Sequence, residues 1–318
     1  MLTKSSTLIK QFKYLVDSPY YIKKVLTSKI DKVPKYKSVK EPRVAFCLYG
    51  VVGGVKGKSG DNKTASEEIL KIGFEYYKKH IFNVNKNVDV FIHTWSRELE
   101  KEIKELYKPK LAIMQKQIIF KIPEYTPGKP QRKQNHYSRW YSTKKVIELK
   151  SKYERKHKFK YDIVMLSRFD IAWQKDLIFN KFDPDFFYTA KMYTEKPLFG
   201  FIPIHIPFGY PYMKDLVHIN DLWFFSNSDN INKLATLFDK LNEYTKPGKA
   251  PLCEKHGITH HILSEYHLEQ IRLIDKLRFI FKHNSKFNAV DPLIRKKYSK
   301  WAKIIKSTTT RKTKNNYK

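Results

Sequence analysis

At 318 residues and 38.0 kDa the chain can bury one large core or two modest ones, and its 41% apolar and 15% aromatic content excludes an intrinsically disordered chain. Sixty-three Lys and Arg face 31 Asp and Glu, a formal charge of +32 that draws anions of every kind without naming one. Two cysteines, Cys47 and Cys253, exclude a disulfide scaffold and a thiolate-rich zinc site and fit a reducing compartment.

Residues 1–42 carry ten Lys against Asp17, Asp31 and Glu41. Leu8, Ile9, Phe12, Leu15 and Val16 recur there at helical spacing, which suits either a basic amphipathic helix on an anionic membrane or a helix packed on the protein. Lys4, Lys10 and Lys13 interrupt any apolar leader, and no run reaches the roughly 20 apolar residues of a membrane span. A cytoplasmic protein is expected, with peripheral membrane association open.

From residue 43 the pattern alternates strand and helix. Arg43–Gly50 is an apolar run closed by glycine, the profile of a buried parallel strand. A Gly- and Lys-rich loop follows over 51–63, then a helix capped by Thr64 or Ser66 and running to about Phe82. Val88–Trp95 reads as the second strand, Arg97–Tyr107 as a charged helix and Leu111–Met114 as the third strand. A long helix from about Tyr137 to His157 precedes the fourth strand, Tyr161–Arg168. Leu198–Met213, with Pro203, Pro207 and Pro211, can be neither helix nor central strand; it is expected to be a lid, a membrane-facing loop or an extended core crossing. Leu222–Ser226 reads as a further strand, Ser228 or Asp229 caps a helix to about Tyr244, and another helix lies within His256–Leu273. Arg295–Lys318, with ten basic residues and no acid, ends in a segment that reads as disordered. The expected organisation is a basic extension (1–42), one α/β domain (43–290) and a basic tail (291–318).

In open α/β sheets ligands bind outside the carboxyl ends of the strands. Gly50, Thr94–Ser96 and Arg168–Asp170 all fall at such ends. Asp170 can hold a divalent cation or a ribose, and Arg168 can bind phosphate or neutralise a departing diphosphate; a plain ion pair between strand-end neighbours is the structural alternative. The loop from Gly50 offers backbone amides, with Lys56 and Lys58 adding charge, but is neither a P-loop nor a dinucleotide fingerprint. Asp221 can bind a hydroxyl, act as a base or cap a turn. His256, His260 and His261 raise a metal ligand from the second half, yet no His-Glu-x-x-His motif is present. No zinc finger, aromatic RNA-binding signature or basic zipper appears, so no specific nucleic acid is expected.

Four blocks in order, Val44–Gly50, Asp89-Val90-Phe91-Ile92-His93-Thr94-Trp95, Tyr161–Asp170 and Asp221–Ser228, resemble glycosyltransferase-like proteins of bacterial surface-polysaccharide loci and large DNA viruses, themselves similar to the GT-A class. The resemblance covers roughly Arg43–Leu241, and the Asp-Val-Phe-Ile-His-Thr-Trp block is its most specific part. It implies a single Rossmann-like, GT-A-like mixed sheet with helices on both faces, a nucleotide-sugar donor and a glycan, lipid-linked or protein acceptor. It also implies a divalent cation (Mn²⁺ or Mg²⁺) at the fourth strand's end. Arg168 and Asp170 match the Asp-x-Asp element by position, with Arg in place of the first Asp, which leaves metal dependence and an Arg-assisted mechanism both open. Gly50, Lys56, Thr94, Trp95, Arg168 and Asp170 then become donor-binding, Asp221 and Arg168 catalytic, and Asp170 and His261 metal ligands. The alternatives from other classes are a basic nucleic-acid-binding protein and a non-catalytic protein with the same sheet.

Overall fold

In the computed structural model the described residues are 39–53, 67–191, 194–198, 202–206, 219–250, 253, 257–282 and 290–292. The chain divides into two compact units, Met1–Pro34 and Lys35–Lys318, and every described residue belongs to the second. The amphipathic N-terminal segment, the lysine-bearing part of the glycine loop, residues 207–218, His256 and the basic tail lie outside the described residues.

β1 (Val44–Gly50) leads to α1 (Glu67–Tyr77), which continues through a wider π-helical turn over Lys78–Phe82. β2 (Val88–Thr94), α2 (Glu100–Tyr107) and β3 (Leu111–Met114) follow. α3 then runs for 28 residues, Pro130–His157, into β4 (Ile163–Arg168). It starts earlier than the apolar pattern suggested because Pro130 stands at its first turn, where a missing N–H costs nothing. After β5 (Ile171–Trp173) and β6 (Phe187–Lys191), β7 (Thr194–Leu198) and β8 (Ile202–Ile206) pair in a hairpin of their own, Pro197 opposite Pro203. The proline-rich stretch thus supplies a strand outside the main sheet, where a missing ladder donor is tolerated. β9 (Phe224–Ser226), α4 (Ser228–Ala235), α5 (Leu237–Tyr244), α6 (His260–Gln270), β10 (Leu277–Lys282) and β11 (Val290–Pro292) complete the order. Asn227, one residue before the positions the sequence suggested, caps α4 by accepting from the Asn230 N–H.

The main sheet has seven strands in the order β10-β6-β9-β4-β1-β2-β3. β1 to β4 run parallel, β9 runs antiparallel between β4 and β6, and β10 is parallel to β6. β11 pairs separately with β5. This is a mixed, Rossmann-like α/β sheet. The strand pleat sorts β1 between two cores. Val44, Phe46 and Leu48 face a layer with Leu70, Tyr77 and Ile103 of α1 and α2, while Ala45, Cys47 and Tyr49 face Trp140, Ile147, Leu234 and Leu263 of α3, α4 and α6. Helices therefore cover both faces. Because β1 lies between β2 and β4, the chain reverses its direction of travel across the sheet at the β1–β4 pair, whose carboxyl ends are where open α/β sheets form their ligand crevice.

Candidate functional site

At that switch point Tyr49 and Arg168 sit opposite each other on adjacent strands. α3 crosses above them and presents His136, Arg139 and Ser142 at intervals of three, one helical stripe. The first loop is tied down at its root. Gly50 has φ +94°, a conformation that suits glycine, and its N–H donates to Ser142 Oγ at 2.8 Å. Its carbonyl accepts from Thr94 Oγ1 at 2.8 Å and from the Trp95 N–H at 3.1 Å, while the Val52 N–H donates to Ser96 Oγ. Thr94 and Trp95 are buried and fasten the end of β2 to the end of β1; the Trp95 indole stacks on Tyr141. Lys56 lies outside the described residues.

The Arg168-Phe169-Asp170 turn rests on α1. Gly73 permits the approach, since a Cβ there would stand 2.5 Å from the Phe169 carbonyl oxygen. Tyr77 donates its hydroxyl to the Arg168 carbonyl at 2.6 Å, and Phe169 is buried against Tyr107. Arg168 folds back to grip Asp170 with two bonds, Nε to Oδ1 at 2.8 Å and Nη2 to Oδ2 at 2.5 Å. Asp170 is buried, whereas 26% of the Arg168 side chain reaches solvent. Burial opposes the charge on Arg168, but Asp170, by charge and hydrogen bond, more than offsets it and raises its proton affinity above the ordinary value.

Asp221 enters from the segment before β9. Its carbonyl accepts from Arg139 Nη2 at 2.6 Å and from the Tyr49 hydroxyl at 3.2 Å, and Arg139 Nη2 also reaches the Tyr49 oxygen at 3.1 Å. The Asp221 carboxylate is less tightly held: Arg139 Nε stands 3.7 Å from Oδ2 and His261 Nδ1 3.5 Å from Oδ1. Burial alone would raise its pKa, yet His261, Arg139, Arg168 and His136 together hold it well below the usual carboxylate range. Arg139 is the residue the sequence reading missed. Its side chain is 9% exposed, its guanidinium lies 4.0 Å over the Trp140 ring, and its Nε and Nη1 have no hydrogen-bond partner among the described residues. Behind it His136 and His260 meet Nδ1 to Nδ1 at 2.8 Å. Burial, with Arg132 and Arg139 nearby, pushes His136 down to about 3; burial, reinforced by His136 and Arg139, holds His260 well below its ordinary value. Both rings are neutral at pH 7, one donating and the other accepting.

No family model matches the sequence, and no curated protein matches it. Solved structures do. A 4-diphosphocytidyl-2C-methyl-D-erythritol synthase from Anaerococcus prevotii aligns at a TM-score of 0.40 and 8% identity over 75% of this chain and 86% of that one. The apo-form glycosyltransferase GlyE of Streptococcus pneumoniae aligns at 0.36 and 11% over 76% of this chain and 45% of that one, so this chain spans under half of its length.

Among the residues expected at the site, the structure brings Arg168, Asp170, Asp221 and His261 into one neighbourhood with Tyr49, Arg139 and the His136–His260 pair. The expected cation ligands are otherwise engaged: Asp170 gives both oxygens to Arg168, and His261 Nδ1 is 2.9 Å from the Ile219 carbonyl. Among the described residues no three His, Cys, Asp or Glu side chains form a metal-binding group. The donor set as folded fits arginine-borne charge better than a cation held jointly by Asp170 and His261. What it offers chemically is a partly exposed guanidinium, a second guanidinium with unbonded donors, and an ionised carboxylate with open acceptor positions.

Proposed function

We propose that this chain is a glycosyltransferase that moves a sugar from a nucleotide diphosphate donor to a glycan, lipid-linked or protein acceptor. The observation that supports the reading is the convergence of Arg168, Arg139 and Asp221 around Tyr49 at the switch point of an open α/β sheet. A nucleotide sugar needs two things from a protein: cationic donors for its phosphates and hydroxyl-reading groups for its sugar. Arg168 supplies the first, exchanging part of its grip on Asp170 for the diphosphate and stabilising the charge that builds as the donor bond breaks. Asp221 and the open nitrogens of Arg139 supply the second, an acceptor beside a donor, matched to sugar hydroxyls. Held so far below the ordinary range, Asp221 is a weak proton acceptor in the resting site; it is suited to orient a hydroxyl and to stabilise positive charge developing on the sugar. A divalent cation would need Asp170 freed from Arg168, so this reading assigns the phosphates to the arginines.

A second reading, a non-catalytic protein with the same sheet, is favoured by the complete engagement of Asp170. Thermal shift with UDP-, GDP-, CDP- and dTDP-sugars, each with EDTA, Mg²⁺ or Mn²⁺, separates the two. One nucleotide class should raise the unfolding temperature. A flat response to every donor supports the non-catalytic reading, and a shift with oligonucleotides alone supports a nucleic-acid-binding protein. A donor shift unchanged by metal would assign the diphosphate to the arginines.

A further inference from the structure

Between β3 and α3 the chain runs over 115–129, and this segment holds all the large hydrophobic side chains that are exposed among the described residues: Ile119 at 89%, Tyr125 at 42% and Ile118 at 37%. Their exposure is built in. The Gln134 side chain clamps Phe120, accepting its N–H at 3.0 Å and donating to its carbonyl at 2.6 Å. Gln117 donates to Ser138 Oγ, and the Tyr125 hydroxyl donates to the Asn242 carbonyl. Phe120 turns inward onto Tyr137, Tyr141 and Phe238. With the backbone fixed on both sides and Phe120 facing the core, Ile119 is held outward.

The rim of this finger is basic. Lys116, Lys121, Lys129, Arg132 and Lys133 face a single acid, Glu124, over 116–133, and none of the five is in an ion pair among the described residues.

We propose that residues 116–133 form a docking finger for an anionic membrane surface, with Ile118 and Ile119 entering the boundary between headgroups and acyl chains and the basic rim resting on the lipid phosphates. An aliphatic tip flanked along the chain by cations matches that layered surface, where apolar burial and electrostatic attraction add. Two isoleucines cover far less than the roughly 800 Å² per partner of a stable protein interface, so a protein partner is the poorer match. The finger leaves β3 at the carboxyl edge of the sheet, where the Gln115 N–H donates to the Thr94 carbonyl. It returns into α3, whose Arg139 lies nine residues beyond Pro130, about 14 Å along the axis. Docking therefore places the crevice edge of the sheet toward the bilayer. This surface does not depend on the reaction proposed above.

The full chain is tested on vesicles of phosphatidylglycerol with phosphatidylcholine and on phosphatidylcholine alone. Its basic ends will also attract anionic vesicles, so the finger needs its own reporter. Cys47 and Cys253 are buried, which lets Ile119→Cys carry an environment-sensitive dye selectively. On anionic vesicles the emission should shift to the blue and be quenched by lipids labelled shallowly on the acyl chain. Ile118→Ser/Ile119→Ser should keep the wild-type unfolding temperature and weaken co-sedimentation about tenfold or more. A dye that stays water-like while the protein sediments overturns the proposal, as does a double variant that binds like wild type. A blue shift that needs no vesicles and grows with protein concentration would assign the tip to contact between copies of this chain instead.

Discussion

One helix, α3, carries two buried cations with opposite fates. Toward its carboxyl end Lys150, fully buried, donates to Glu154 Oε2 at 2.9 Å, Ser228 Oγ at 2.6 Å and Asn232 Oδ1 at 2.8 Å, so all three of its protons have partners. Glu154 is completed by the Tyr161 N–H and the Ser228 hydroxyl. Three turns earlier Arg139 is nearly as buried, yet it keeps two nitrogens without hydrogen bonds and an ion-pair partner at 3.7 Å. A closed network away from the crevice clamps α3 to α4. An open one at the crevice has donors left for something else. Buried charge that is satisfied holds structure, and under the function proposed above the unsatisfied charge of Arg139 is the one that meets the ligand.

The largest effect of any single substitution is expected from breaking the closed network. Lys150→Met leaves Glu154 buried without its cation and should cost about 3–5 kcal/mol in urea-induced unfolding. A loss below about 1 kcal/mol would show that the network relaxes or admits water, and the contrast with Arg139 would fail.

Acid should loosen the same face of the sheet next. Burial pushes His93 and His267 down to about 4 and His136 to about 3, against an ordinary value of about 6.5. Between those values the unfolded chain binds more protons than the folded one, so stability falls as pH drops below about 6.5 and continues to fall toward pH 3 to 4. Each histidine contributes on the order of 1–2 kcal/mol of loss by pH 5. Asp221, depressed in the folded state, adds a loss in the same direction below about pH 4. Equal unfolding midpoints at pH 7 and pH 5 would show that these rings already carry protons or reach water.

A third test reaches the crevice through packing. Gly73→Ala puts a methyl group 2.5 Å from the Phe169 carbonyl, forcing α1 or the Arg168–Asp170 turn to move. A loss of about 1–3 kcal/mol is expected, together with weaker nucleotide-sugar shifts because Arg168 moves with the turn. Unchanged stability with unchanged binding would mean that α1 yields without disturbing the site.

Much of this frame was legible in the residues. β1, β2 and β4 announce themselves as short apolar runs closed by Gly, Thr and Arg, and Leu111–Met114 forms the third strand as expected. β6 and β10 were missed because Phe187–Lys191 and Leu277–Lys282 mix aromatic and basic residues without clean alternation. At the site, Arg168 and Asp170 stand at the carboxyl end of β4, where the rule for open sheets points, and Asp221 stands just before β9. Arg139 and His136 do not, and α3 hides them for a physical reason. Its inward stripe includes His136, Arg139, Ser142, Thr143, Lys150 and Glu154, so the polarity contrast that normally separates buried from exposed helix faces is erased. The remaining cue was Arg139 beside Trp140, a cation placed among aromatics within the buried register.

The smallest effect on stability, and the most informative on function, should come from Arg139 itself. Arg139→Met keeps an unbranched side chain while removing a guanidinium that lies over the Trp140 and Tyr49 rings and whose Nε and Nη1 bond nothing in the described fold. It also removes the bond to the Asp221 carbonyl, which the Tyr49 hydroxyl still serves. Desolvation relieved on one side offsets the hydrogen bonds lost on the other, so the net change should stay within about 1 kcal/mol. Any nucleotide-sugar shift, by contrast, should disappear or fall by most of its size. Loss of binding with a stable fold would make Arg139 a ligand-reading residue and set it apart from Lys150. A large loss of stability would mean that its open nitrogens matter less than its grip on Asp221, and that both cations of α3 hold the fold together.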